Sequence, residues 1–192
     1  SYLPENGALV HLEYTMYAHF LKLRDLLENA NYINFFVDRE SGINRALTLA
    51  FGHRFNDPKF DALYVAASKN LTVDERQRLV KASKKRIKNL IDSGAAADEF
   101  HAQRLLAQEA LKSPPIVIKK NEYFPIPIDK MNECEKMVGF ITSHQNLTLE
   151  NKAFLGCMAN LAPVDTFFAQ VRRRIQSLER PIHSQSNRER VW

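Results

Sequence analysis

The stretch from Tyr32 to Gly42 constrains this chain more than any other, because it joins an apolar strand pattern to a carboxylate and a turn. Its first half is a short run rich in β-branched and aromatic residues, which predicts a buried strand. The run ends on Asp38, and Ser41 and Gly42 follow before a helical pattern begins. Since open α/β sheets place ligand sites at strand ends, Asp38 is a candidate for holding a divalent cation against a phosphate. The alternative is that Asp38 only opens the turn or caps the next helix.

Elements of alternating type surround this stretch. Helical spacing of apolar residues covers 10–29, and a second helix is predicted over 43–51, with Ser41 as its N-cap. A further strand is predicted over 60–67. Alternation of this kind predicts an α/β fold.

The second half of the chain reads as mainly helical. Thr72 and Glu75 form a capping box that opens a helix, and further helices are predicted over 95–112 and 149–160 and from Val164 onward. Short extended segments are predicted over 116–118 and 124–128, and the prolines of the second one argue against a central position in a sheet.

Composition limits the classes of protein to consider. With 192 residues, 45% hydrophobic and 26% charged, the chain fits one globular domain, or one domain with an insertion. The net charge of +5 and a pI of about 9.2 permit a polyanionic partner. Cys134 and Cys157 match no metal-ligand spacing and favour a reducing compartment, so we expect a cytoplasmic protein. We find no membrane-length apolar run and no secretory pattern, so no membrane partner is expected.

Positive charge concentrates on the helix that the capping box opens. Residues 72–92 carry seven basic and three acidic side chains, a net charge of +4. Lys84, Lys85 and Lys88 are candidates for contacting a nucleic-acid backbone. The alternative is that they only solvate an exposed helix face.

The last predicted helix combines an acidic start with a basic end. Asp165 lies in its first turn, and Arg172, Arg173 and Arg174 follow about two turns later. A carboxylate followed by guanidinium groups on one helix can bind a metal ion at one end and phosphates along its length. The alternative is that these charges only complement the helix dipole.

Other reaction classes lack their residue patterns. The six histidines show no zinc-binding spacing, and no glycine-rich phosphate loop is present. Neither cysteine nor Ser41 has the local sequence of a nucleophile. These observations disfavour NTPases, dehydrogenases, zinc enzymes and serine or cysteine hydrolases.

Three segments resemble bacterial insertion-sequence transposases of the acidic-triad (DDE/DDD) type. They are Tyr14–His19 in the opening helix, Phe35–Ile43 around Asp38, and Val164–Pro181 in the closing helix. The resemblance implies an α/β fold that is a partial ribonuclease H-like core with a largely helical insertion. It also implies metal-dependent cleavage and joining of DNA strands.

The resemblance assigns roles to particular residues. Asp38 would be the second acidic residue of the triad and Asp165 the third, both catalytic and both ligands of Mg²⁺ or Mn²⁺. DNA would be the partner, with the basic residues already named as its contacts, and a homo-oligomer on DNA ends is left open. The first acidic residue should lie on an earlier strand, and Glu13 falls within a helix, so it is not assigned. The chain therefore resembles the C-terminal part of such a core and is expected to be inactive alone.

The domain organisation follows from the same resemblance. Residues 1–71 would form the first part of the core, 72–129 an inserted helical and extended subdomain, and 130–183 the C-terminal part with the closing helix. Residues 184–192 would be a basic tail. A different class of function is also open: a non-catalytic basic α/β module that binds nucleic acid or a protein, with Asp38 in a turn and Asp165 as a cap.

Overall fold

A computed structural model of the chain describes residues 12–39, 41–118, 121–142 and 147–174. Each predicted helix or strand that falls on these residues is present, with bounds shifted by a few positions. The helices are α1 (Leu12–Leu26), α2 (Ser41–Phe51), α3 (Val73–Asp92), α4 (Glu99–Leu111), α5 (Leu149–Met158) and α6 (Ala162–Arg174). The strands are β1 (Ile33–Asp38), β2 (Phe60–Ala66), β3 (Ile116–Ile118), β4 (Asn121–Pro125) and β5 (Met137–Phe140).

The described strands form one mixed sheet in the order β1-β2-β5-β4-β3. Strands β1 and β2 are parallel, in a register that runs from Ile33 opposite Phe60 to Asp38 opposite Val65. Helix α2 connects them, so β1, α2 and β2 make a β–α–β unit. The other pairings are antiparallel. The α/β class is therefore confirmed, whereas a ribonuclease H-like topology stays a prediction.

An aromatic core fixes β1 against α1 and α2. The Phe35 ring of β1 lies 5.0 Å from Phe51 of α2 and 5.8 Å from Phe60 of β2, centroid to centroid. Phe20 of α1 meets the same ring edge-on at 5.9 Å. Leu47 of α2, which is fully buried, belongs to the same cluster. Close packing of large rings holds the strand, and with it the end on which Asp38 lies, in one position.

The opposite face of the sheet is covered by α5. Val138 of β5 pairs with Val65 of β2, and a Cβ added to Gly156 of α5 would lie 3.7 Å from the Val138 side chain. The buried Lys136 ammonium donates to the carbonyl of Ala159, just past the end of α5, at 2.8 Å. A cation at this place complements the negative end of the helix dipole.

Two local expectations are wrong, and one strand has no counterpart among the predictions. Helix α2 begins at Ser41 itself, so Ser41 is a helical residue and not the N-cap. Strand β4 has neighbours on both sides, although Pro125 ends it. The proline is tolerated because it pairs only with Met137 of β5, beyond the last residue that faces β3. Strand β5 was not predicted, since Met-Val-Gly-Phe is short and contains a strand-weakening glycine.

The chain divides into two compact units, Ser1–Ala159 and Asn160–Trp192. The sheet belongs to the first unit, and α6 belongs to the second. The predicted segments 1–71, 72–129 and 130–183 each contribute strands to this one sheet, but their division into subdomains stays a prediction. The proposed basic tail, 184–192, lies outside the described residues. In the described ranges, no helix is both long enough and apolar enough to cross a membrane.

Candidate functional site

Asp38 lies at the carboxyl end of β1, with an exposed side chain. Its Oδ1 accepts a hydrogen bond from the backbone amide of Arg39 at 2.7 Å. The second carboxylate oxygen has no hydrogen-bond partner among the described residues. A rigid strand thus presents a solvent-accessible carboxylate at the carboxyl end of a β–α–β unit, where α/β sheets bind ligands.

The described residues do not complete a metal site around Asp38. In the described ranges, no group of three or more His, Cys, Asp or Glu side chains is arranged to hold a metal ion. A two-ion site needs several carboxylates, so Asp38 can supply one ligand of such a site but cannot hold the two ions by itself. Glu13 lies in α1, as expected, and its side chain is outside the described ones.

Asp165 lies in the first turn of α6, within the second compact unit, and its side chain is exposed. Each unit is described by itself, so the convergence of Asp38 and Asp165 stays a prediction. At the other end of α6, Arg173 and Arg174 are exposed, while the side chain of Arg172 is outside the described ones. This helix therefore presents its acidic start and basic end to solvent, as the sequence predicts.

Helix α3 carries a continuous basic face. Lys81, Lys84, Lys85 and Lys88 are spaced three and four residues apart, so they lie on one side of the helix, and all four are exposed. None of them forms an ion pair with a carboxylate in the described part of the chain. We call these four residues the α3 lysine face.

The buried side of α3 explains why this face points outward. Ser83 and Ile87 are buried, and Ser83 Oγ accepts from the Asp129 amide at 3.2 Å and donates to the Pro127 carbonyl at 3.4 Å. Arg86 donates to the same carbonyl at 3.2 Å. The segment that follows β4 therefore holds one side of α3 and leaves the lysines on the other.

Not every basic residue of α3 is available for a partner. Arg76 donates to the carbonyls of Leu71, Met131 and Ser68 at 3.0–3.3 Å, so its guanidinium joins α3 to two loops. Bonds of this kind are charge-assisted and structural. The expectation that the whole run from Arg76 to Lys88 contacts DNA is therefore too broad for Arg76.

Arg39 is a residue that sequence reasoning did not single out. Its guanidinium carbon lies 5.0 Å from the centre of the Tyr123 ring. Tyr123 is fully buried, and its hydroxyl has no hydrogen-bond partner among the described residues. Sequence spacing gives no sign of this contact, because 84 positions separate the two residues and only the sheet brings them together.

Two further features lie away from Asp38. A cleft lined by Arg24, Asp25, Glu28 and His53 lies beside the C-terminal ends of α1 and α2, and charges of both signs line it.

The second feature is the thiol of Cys157 in α5. Burial raises the pKa of this thiol to about 11, although the nearby Lys136 lowers it. A thiol with that pKa is protonated at neutral pH and is a poor nucleophile.

Comparison of the chain with models of protein families, with curated proteins and with solved structures finds no match.

Proposed function

We propose that this chain is part of the catalytic core of a DNA transposase of the acidic-triad type, contributing Asp38 to the metal site and basic residues to DNA binding. The observation that carries the proposal is the position of Asp38. Its carboxylate is exposed at the carboxyl end of a parallel strand that packs rigidly against α1 and α2. A rigid backbone preorganises a metal ligand, and the exposure of this carboxylate leaves it open to an ion and to DNA.

Asp165 is the second ligand in this proposal. Its exposed carboxylate lies in the first turn of α6 and forms no ion pair with a described cation. Two carboxylates do not complete a two-ion site, so we expect the chain by itself to be inactive in DNA cleavage and joining.

The α3 lysine face supports the DNA part of the proposal. Four exposed ammonium groups follow one side of a 20-residue helix, and none of them pairs with a carboxylate of the described residues. Such a row attracts a polyanion, and each phosphate contact releases counterions and makes binding depend on salt. Lys84, Lys85 and Lys88 are three of its members. In the second unit, Arg173 and Arg174 of α6 are exposed basic residues that can also contact phosphates.

Replacement of the α3 lysine face tests DNA binding. Lys81, Lys84, Lys85 and Lys88 are changed together to alanine, and the affinity for a labelled duplex is measured between 50 and 200 mM salt by fluorescence anisotropy. We expect weaker binding and a log–log salt slope lower by about 0.9 for each lost phosphate contact. The matched control removes four exposed lysines from other elements and loops, Lys22, Lys59, Lys69 and Lys112. Equal losses in both variants would mean that only net charge matters, and that α3 is not the DNA-binding surface.

Affinity cleavage tests the metal ligand. Fe²⁺ bound in place of Mg²⁺ generates radicals with ascorbate and peroxide, and these cut the polypeptide close to the ion. In the presence of duplex DNA, we expect a cut near residue 38 that Mg²⁺ competes away and that Asp38→Asn abolishes. A cut that persists in Asp38→Asn, or no cut at all, would contradict the assignment of Asp38.

The second candidate is a non-catalytic basic α/β module that binds nucleic acid. The α3 lysine face favours it, since that surface needs no metal ion and no second unit to attract a polyanion. The two experiments separate the candidates: salt-dependent binding through α3, without metal-dependent cutting near Asp38, supports the module.

A further inference from the structure

Arg39 is held in place by an aromatic ring. Its guanidinium lies over Tyr123, a residue with no exposed surface, at the end of β1 where the chain emerges into solvent. A cation over a ring face is attracted by the ring quadrupole, and a guanidinium can stack there with its N–H groups directed outward in its own plane.

The ring is itself immobile. Tyr123 lies across Gly139 of β5, where an added Cβ would come within 3.1 Å of two ring carbons. The Tyr64 ring of β2 lies 6.4 Å away on the same side, and Val37 of β1 belongs to the same cluster. The absence of a side chain at Gly139 thus lets the ring reach across β5 towards β1.

Three other arginines of the first unit use their donors within the protein. Arg54 forms two bonds to Asp57, at 2.9 and 3.2 Å, Arg104 pairs with Glu150, and Arg76 binds four carbonyls. The Arg39 guanidinium has no hydrogen-bond acceptor among the described residues, although it lies over the Tyr123 ring. A planar guanidinium whose donors are left for a ligand matches the two oxygens of a phosphate group.

Asp38 does not neutralise this cation. The two residues are adjacent in sequence, but no ion pair joins them. Arg39 follows Val37 by two positions and lies with it on the Tyr123 side, whereas alternation along a strand directs Asp38 to the other side.

We propose that Arg39 is a phosphate-binding residue that anchors the DNA backbone at the carboxyl end of β1. The inference rests on the proposed function, because it takes DNA as the partner. Arg39 would add a phosphate contact on the first unit that is separate from the α3 lysine face. This contact lies at the same strand end as the proposed metal ligand Asp38. Tyr123 is a positioning residue for Arg39 and does not itself contact DNA.

The test measures duplex affinity and its salt slope for the full chain and for Arg39→Ala, with Arg24→Ala as the matched control. Arg24 is an exposed arginine of α1 whose guanidinium lies 3.5 Å from the Asp25 carboxylate. We expect Arg39→Ala to weaken binding about tenfold and to lower the slope by about 0.9, and Arg24→Ala to change neither. Equal behaviour of the two variants would overturn the proposal.

Two further variants test the geometry. Arg39→Lys keeps the charge but loses the planar guanidinium, which can donate two parallel hydrogen bonds to one phosphate. We therefore expect the salt slope to be retained and the affinity to fall several-fold. Wild-type affinity in Arg39→Lys would show that the planar guanidinium is not required, and would overturn the proposed geometry of the contact. Tyr123→Leu removes the ring and should weaken binding as Arg39→Ala does. If Tyr123→Leu does not fold, as judged by circular dichroism, the Arg39 variants decide the question.

The outcome separates this inference from the function on which it rests. If the wild-type chain does not bind duplex DNA at all, the proposed function and the inference both fail. If it binds through the α3 lysine face and Arg39→Ala binds equally well, the inference alone fails.

Discussion

Replacing Gly139 with alanine probes the contact on which the position of Tyr123 depends. The added Cβ would lie 2.9 Å from the backbone carbonyl oxygen of Glu122 and 3.1 Å from two carbons of the Tyr123 ring. Real Cβ atoms essentially never come that close to a backbone oxygen, so strand β4 must shift away from β5. Tyr123 is fully buried, so a displaced ring presses on the side chains packed around it.

The expected cost follows from this geometry. Overpacking a rigid core destabilises the fold by about 1–3 kcal/mol. Alanine also reduces the backbone freedom of the unfolded chain, which offsets this cost by about 0.4–1 kcal/mol. We therefore expect Gly139→Ala to lower the free energy of unfolding by about 1–2 kcal/mol, which is about 2–8 °C in Tm for a chain of this size. Thermal unfolding followed by circular dichroism measures it.

Two other glycines provide matched controls. At Gly156, the nearest atom to an added Cβ is the terminal Cδ1 of Ile126, at 2.8 Å, which can rotate away. At Gly52 the nearest atom is a methyl carbon of Thr48, at 3.8 Å, an ordinary contact. We expect Gly156→Ala and Gly52→Ala to stay within about 1 kcal/mol of the wild type. If Gly139→Ala were as stable as these variants, Tyr123 would not be fixed by packing over β5.

Three further predictions concern stability and are measured by thermal unfolding. Thr72→Ala should cost about 1 kcal/mol, because it removes the capping-box bonds between Thr72 and Glu75 at the start of α3; an unchanged Tm would contradict this. Burial raises the pKa of Asp61, so its charged form destabilises the fold above that pKa. Asp61→Asn should therefore raise Tm at pH 7, and the gain should shrink as pH falls towards the ordinary value of 3.8; a gain independent of pH would refute the burial argument. Tyr123→Phe removes a buried hydroxyl without a described partner and should not lower Tm; a loss above about 1 kcal/mol would reveal a hydrogen bond to that hydroxyl.

The sequence by itself determined the local elements. Hydrophobic periodicity located β1 and its end at Asp38, because a buried strand needs a continuous apolar run. The Thr72–Glu75 box located the start of α3, because its bonds are made between residues three positions apart. Exposure of Lys85 also follows from local spacing, since a residue two positions from the buried Ile87 faces the opposite side of a helix.

Only the tertiary structure decided which residues meet across the sheet. Short β5 gave too weak a pattern to be predicted, yet it lies between β2 and β4 and sets the distance between them. Arg76 and Arg39 look alike in sequence, but loop carbonyls bind the first, whereas the second lies over a buried ring and has no acceptor in the part of the chain that the structure describes. Such contacts depend on strand order and on the space that Gly139 leaves for Tyr123. Neither is encoded in local spacing, because both arise only when segments distant in sequence pack together.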